Sequence, residues 1–591
     1  MQQKPIPFAA TFPSLATAIA LTCAATFGIT PSALANRSQV GINDPEAAAP
    51  RIASIAIPGH AQFVAIAREV LLIQTTVTPD FASQSGLIDD AIRVPSFAPE
   101  RIKELTKRLH TATAALRALP WRHWSVDEQI DVRWVYTNAE RLDRELNVER
   151  LQSHRPGAWL ETLANNYIAI LTYAPTREDA LDALTRGIPD VVAEMRALCV
   201  PTQVDTEVAL GLIGGIESML KGRSNAGSDA SQAALAALAA YRHTLASSTA
   251  TQPPFSVVGA TNYAWRLQHA SLLPWTPQAL LALAESKLST VDAQMTALAP
   301  KLQPKGPLPP ELKLTAANLT QASLLALYDD IQTHNRAAIE SAGFVTIPTG
   351  VGPVRARVTP DAMVPLTGDG GSMNPPPPII RADIGWWNVE HFKADMPLAD
   401  REQLVRQSAQ YQLSSMGPYS VHEGLPGHHL QLAIARLNRD PLRNLYQDPV
   451  QNEGWALYAE QVMWEQGGMG ATPDAEYYTL RSWRHRIRRV VYDVKIETGV
   501  WTLQQGADWK AQKPAGETPV DEDVKRSVNW PAQLICYFAG KEQILALKAD
   551  YKKKLGTAYT ERRFHDELLA LGSVPYVFAR AKMLGEPVPG F

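Results

Sequence analysis

The chain has 591 residues, 46% hydrophobic and 19% charged, a balance that fits a globular protein and excludes a disordered one. A formal charge of −3 gives no pull toward nucleic acid or an anionic membrane, and neither is expected as a partner. The length allows several core-sized units or one large helical body.

Residues 1–35 read as a signal peptide. Lys4 gives a weakly basic start, "FPSLATAIALTCAATFGI" is the apolar core, and Ala33-Leu34-Ala35 is an A-x-A cleavage pattern before Asn36. An uncleaved anchor is the alternative, whereas Thr22 before Cys23 suits a lipoprotein poorly. No later apolar run is long enough to span a bilayer. The mature chain is expected to be exported, periplasmic or secreted, with no stable membrane insertion. Cleavage leaves Cys199 and Cys536, which form either one long-range disulfide or two buried thiols.

Residues 36–340 are expected to form a helical domain, scaffold and cleft wall, with helix following helix from residue 98. "SQAALAALAAYRHTLA" (231–246) and "PQALLALAESKLSTVDAQMTALAPKL" (277–302) repeat apolar residues at three and four. Pro and Gly break the pattern at "SSTATQPP" (247–254) and "QPKGPLPP" (303–310).

Residues 341–591 change character and are expected to form a metal-binding catalytic domain. "FVTIPTGVGPVRARV" (344–358) alternates β-branched and turn residues, "NPPPP" (374–378) is an extended connector, and "IIRADIGWWNVE" (379–390) reads as a strand. A helix is expected at about 397–415, then the stretch "VHEGLPGHHLQ" (421–431), then further helices. The fold class is mainly α, with a small sheet able to support an extended substrate beside a cleft.

The histidine stretch carries the chemistry. In H-E-x-x-H, one helix presents two His at i and i+4 to a metal, and the Glu activates water. Here the next histidines after His422 are His428 and His429. On an unbroken helix, residues six apart point about 240° apart and those seven apart lie roughly 10 Å apart along the axis. Neither pair then shares a zinc whose bonds to nitrogen are about 2.0–2.1 Å. Pro426, however, has no N–H for the carbonyl of His422, and Gly424 and Gly427 permit a bulge. The extra residues and their breakers arrive together, as a loop inserted in a metal-binding helix requires. A third ligand is needed, and "QNEGWALYAEQVMWE" (451–465) offers Glu453.

"HEGLPGHHLQ" and "NEGWALYAE" resemble the signatures of the bacterial domain of unknown function 885 family, whose members resemble helical zincin-type metallopeptidases. The likeness continues in "RRVVYDVKIETGVWTLQQ" (488–505), "WPAQLICYFAGKEQIL" (530–545) and "FHDELLALGSVP" (564–575). "NEGWA" is also similar to the glutamate-bearing segment of aminopeptidase-N-like zinc enzymes, and the Gly-His ending is similar to dipeptidyl peptidase III. Together these resemblances imply His422, His428 and Glu453 as ligands of one Zn2+, with Glu423 as base. By the same likeness His428 is preferred to His429. Glu497 stands where the family shows a His four residues after an Asp, here Asp493.

Other helical zinc peptidases use a late Tyr and His on the oxyanion, which makes Tyr537 and His565 candidate catalytic donors. The cluster "RHRIRRVVYD" (484–493) is either a salt-bridged helix face or a site for a peptide carboxylate. The implied activity is zinc-assisted hydrolysis of a peptide or related amide bond. Its alternatives are a non-catalytic zinc- and peptide-binding protein on the same fold and a hydrolase of a non-peptide amide metabolite. No G-x-S-x-G occurs to support a serine hydrolase. Substrate, cleavage polarity and oligomeric state stay open.

Overall fold

The computed structural model describes residues 49–302, 319–370, 372–379, 384–392, 395–401, 417–469 and 472–591. The leader, the break at 303–310 and most of the helix expected at 397–415 lie outside these residues.

The fold is mainly helical with one small sheet, as the periodicity implies. Local signals set the helix ends. Ser125 and Glu128 form a capping box on Val126–Asn147, as do Thr202 and Asp205 on Gln203–Gly222. Proline occupies the first turn of Pro156–Tyr173 and Pro277–Leu298, where its missing N–H has no helical partner to lose.

Apolar burial does not divide the chain at 340/341. One core joins Phe63, Trp134 and Leu280 to Trp455, Phe538 and Phe578, so early and late helices bury each other's faces. Polar contacts cross the same seam: Trp134 Nε1 donates to the Tyr446 carbonyl at 3.1 Å, and Arg443 pairs with Asp131 at 2.7 Å. The helices between residues 156 and 248 close a second core around Trp159, Leu184 and Ile213. The described residues thus form a continuous helical body across the boundary expected from composition.

Seven helices concern the site: α1 (Gln321–Ala342), α2 (Pro418–Glu423), α3 (His428–Arg436), α4 (Pro449–Glu465), α5 (Pro473–Glu497), α6 (Cys536–Leu555) and α7 (Glu561–Leu569). The three strands β1 (Val354–Val358), β2 (Ser372–Asn374) and β3 (Gly385–Val389) stand in the order β1-β3-β2. β3 pairs parallel with β1 and antiparallel with β2. Helix α1 packs on this sheet through Tyr328, whose ring meets Trp387 edge-on at 4.5 Å. Cys199 and Cys536 are both free thiols, and the disulfide alternative is not adopted.

Candidate metal centre

The helix around the histidines is interrupted where Pro426 requires it. Helix α2 ends at Glu423, residues 424–427 form a tight connection, and α3 begins at His428. The Gly427 N–H donates to the Val421 carbonyl at 3.0 Å, and a Cβ on Gly427 would overlap the His422 carbonyl. Only glycine fits that fold-back. Gln332 of α1 clasps the connection, accepting from Leu425 N and donating to the Ser420 carbonyl, each at 3.0 Å. Trp455 of α4 donates to the Pro426 carbonyl at 2.8 Å. These contacts satisfy the N–H groups of Leu425 and Gly427 and the Pro426 carbonyl at the break.

This break turns His422 and His428 toward each other, with ring centres 4.8 Å apart and planes at 89°. Glu453 comes from α4, which Asp448 caps by accepting from Val450 and Gln451 N–H. Glu453 Oε2 lies 3.4 Å from His422 Nε2 and 3.3 Å from His428 Nε2. Ligand atoms of a tetrahedral zinc with bonds near 2.0–2.1 Å stand about 3.3–3.4 Å apart. Two edges of such a tetrahedron are therefore present. His422, Glu423 and His428 also offer ligand atoms within 4.8 Å of one another. That grouping includes Glu423 and omits Glu453, but contact with both imidazoles makes Glu453 the better ligand. Glu423 borders the same space, its Oε2 buried and without a hydrogen bond.

Helix α4 supplies a second carboxylate, at the end of "NEGWALYAE", to which the sequence resemblances give no role. Glu460, seven residues after Glu453, accepts from His422 Nδ1 at 2.7 Å. A carboxylate only accepts, so Nδ1 carries a proton and Nε2 is the nitrogen left for a cation. The available signal is the spacing: two helical turns place Glu453 and Glu460 on one face. Helix α4 is held close by a glycine pair, since a Cβ on Gly454 would overlap Gly540 of α6 and one on Gly540 would overlap the Val450 carbonyl.

The electrostatics follow from these contacts. Burial alone would depress His422, but its contacts with the accepting carboxylates of Glu453 and Glu460 outweigh it and raise it to about 9. Burial likewise works to raise Glu453, yet His428 and His422 hold it well below the usual carboxylate range. Glu423 is raised by burial, with His428 and His422 opposing. The donor set, two imidazoles and a carboxylate with a carboxylate behind one imidazole, suits zinc.

The other candidates separate. His429 turns away: its Nε2 lies 2.9 Å from the Gly352 carbonyl, and burial lowers it to about 4. It ties α3 to the loop before β1. Tyr537 at the start of α6 does border the cluster, its ring 6.2 Å from that of His422. Its hydroxyl is buried without a hydrogen bond, and burial raises it to about 12, so it stays a donor near neutral pH. His565 on α7 does not join the cluster. Its Nδ1 lies 2.7 Å from the Phe344 carbonyl and its Nε2 2.9 Å from the Tyr458 hydroxyl. Both nitrogens are engaged in these contacts, and the ring packs edge-on against Trp455 at 5.6 Å. Glu497 is also remote in its contacts, accepting from Val258 N at 3.0 Å.

The fold and site together define a mainly helical protein with a buried His-His-Glu centre on an interrupted helix. Residues 79–583 match the family described as bacterial protein of unknown function (DUF885), and the chain belongs to that family. No protein with a curated description matches it. Among solved structures, a candidate lipoprotein of unknown function from Shewanella oneidensis superposes with a TM-score of 0.69 at 18% identity. That match covers 89% of this chain and 100% of the other. A candidate lipoprotein from Colwellia psychrerythraea gives 0.64 at 17% identity, covering 89% and 99%. At these identities the likeness shows the shared fold.

Proposed function

We propose that the chain is an exported zinc-dependent hydrolase of peptide or related amide bonds. The observation that carries this reading is Glu453 Oε2 standing 3.4 and 3.3 Å from two imidazole nitrogens, with Glu423 buried beside them and its Oε2 without a hydrogen bond. His422, His428 and Glu453 would hold the metal, and Glu460 fixes the tautomer and orientation of His422. Zinc bound there supplies Lewis acidity, making a water easier to deprotonate and a carbonyl easier to attack.

Glu423 then does the proton work. Its carboxylate accepts a proton from water as the oxygen bonds to the carbonyl carbon, and returns it to nitrogen as the C–N bond breaks. The Tyr537 hydroxyl is the donor available to the developing oxyanion. The leader, and the description of both structural neighbours as candidate lipoproteins, support an envelope or exported location. Among the described residues, no helix is long and apolar enough to cross a membrane.

The test is Glu423→Gln, which keeps size but cannot take the proton. The variant is expected to retain about one zinc per chain and lose turnover by about 10²–10⁴-fold on a library of short peptides read by mass spectrometry. Equal cleavage by both proteins defeats the assignment of Glu423. Zinc and peptide binding without any cleavage selects the binding-protein reading instead.

A further inference from the structure

Helix α5 carries four arginines between residues 484 and 489, and three of them are engaged. Arg484 pairs with Asp292, Arg489 pairs with Asp523 at 2.6 Å, and Arg488 donates to the carbonyls of Trp509 and Lys510. Arg486 differs. Its Nη1 donates to Ser482 Oγ at 3.1 Å, and it has no carboxylate partner among the described residues. Its Nε is buried without an acceptor. The side of the guanidinium that pairs two-fold with a carboxylate is therefore unused.

Its position gives that unused side a purpose. The guanidinium carbon lies 5.5 Å from the centre of the Tyr537 ring, which in turn lies 6.2 Å from the His422 ring. A peptide residue spans about 3.3–3.6 Å, so these two steps leave room for no more than about three residues between the histidine centre and the guanidinium. Burying part of a guanidinium beside a hydrolytic centre is costly unless an anion completes it.

We infer that Arg486 binds the free C-terminal carboxylate of a short peptide, placing the bond to be cut within about three residues of that end. This rests on the hydrolase reading for the cut but not for the binding. The guanidinium fork takes both carboxylate oxygens, Tyr537 neighbours both it and the cluster, and chain length beyond the carboxylate is excluded by the pairing itself. The substrate class is thus short peptides with an unblocked C-terminus, and Arg486 is the specificity-determining residue.

The experiment uses the full mature chain loaded with zinc and a tetrapeptide in two forms, free acid and C-terminal amide. Calorimetry with Glu423→Gln, which prevents turnover, should find the acid bound about 10- to 100-fold more tightly than the amide. Adding Arg486→Gln should erase the preference, and adding Arg486→Lys should keep part of it, since charge remains but the fork is lost. Zinc content and the near-ultraviolet circular dichroism of each variant establish that the site is intact. Equal binding of the two peptides, binding of neither, or equal weakening of both by Arg486→Gln overturns the inference. Cleavage separates it from the broader reading. A wild type that cuts acid and amide equally retains the hydrolase and loses this role for Arg486. Acid preference that depends on Arg486, with no cleavage, retains the subsite and loses the hydrolase.

Discussion

Glu453 and Glu497 are both buried glutamates on long helices of the same body, yet burial ends in opposite results. Glu453 is held well below the usual carboxylate range, whereas Glu497 is raised to about 7. The difference lies in contact. Glu453 touches two imidazole nitrogens at 3.3 and 3.4 Å. Glu497 has Arg155 and Arg266 in its surroundings, but Arg266 is paired with Glu149 and Arg155 donates to the Asn529 carbonyl. Asp493, one turn earlier, is raised as well, with Tyr263 donating to it at 2.6 Å. Cations that are near but committed elsewhere do not offset desolvation, while those in contact do. The first cluster is built to hold positive charge, and the second to hold protons.

The largest test of this contrast is Glu453→Gln. On the proposed reading it removes one of three ligands, so zinc content measured by mass spectrometry should fall from about one per chain to a small fraction. Full retention would remove Glu453 from the site. Glu460→Gln should act more gently, because it disturbs His422 without deleting a ligand. Loss of such a supporting carboxylate typically weakens metal affinity about 10- to 100-fold, measured by competition with a chelator. Unchanged affinity would make the His422–Glu460 contact incidental.

Glu497→Gln probes the other cluster, and its effect is the smallest. The folded-state value lies above the ordinary one, so the fold keeps the proton to higher pH than the unfolded chain does. Stability from this group is therefore fully present below about pH 4.5 and is lost as pH rises through 7. The neutral variant escapes that loss. It should match the wild type near pH 4 and exceed it by about 1–3 kcal/mol at pH 8 in urea denaturation, because each tenfold difference in proton affinity between folded and unfolded chains is worth about 1.4 kcal/mol. Asp493, raised for the same reason, leaves part of the pH slope in both proteins. A variant that runs parallel to the wild type across this range would place the proton elsewhere.

The contrast also marks what is legible in the sequence. The interrupted histidine helix is readable because Pro426, Gly424 and Gly427 are local signals that no regular helix tolerates together. Glu453 becomes readable through its neighbours in "NEGWA", and Glu460 closes the same signature at the right spacing, but nothing local assigns it a role. His565 and Tyr537 have equal standing in the sequence as late donors. Only the tertiary partners Phe344 and Tyr458 of the one, and the unbonded hydroxyl of the other, separate them. The four arginines between residues 484 and 489 of α5 are likewise indistinguishable, since the partner of Arg484 lies 192 residues away. Composition changes near residue 340, but the core ignores that point because helices from both sides bury one another. Short-range rules are written in consecutive residues, and long-range pairing is not.

The glycine contact between α4 and α6 has a further consequence. Glu453 and Tyr537 ride on two helices whose closest approach is backbone against backbone, at Gly454 and Gly540. The separation of Glu453 from Tyr537 is then gauged by main-chain atoms, which are the same in every residue, rather than by side chains that drift. Substitutions along the outer faces of the two helices can change what surrounds the pair while the gauge holds.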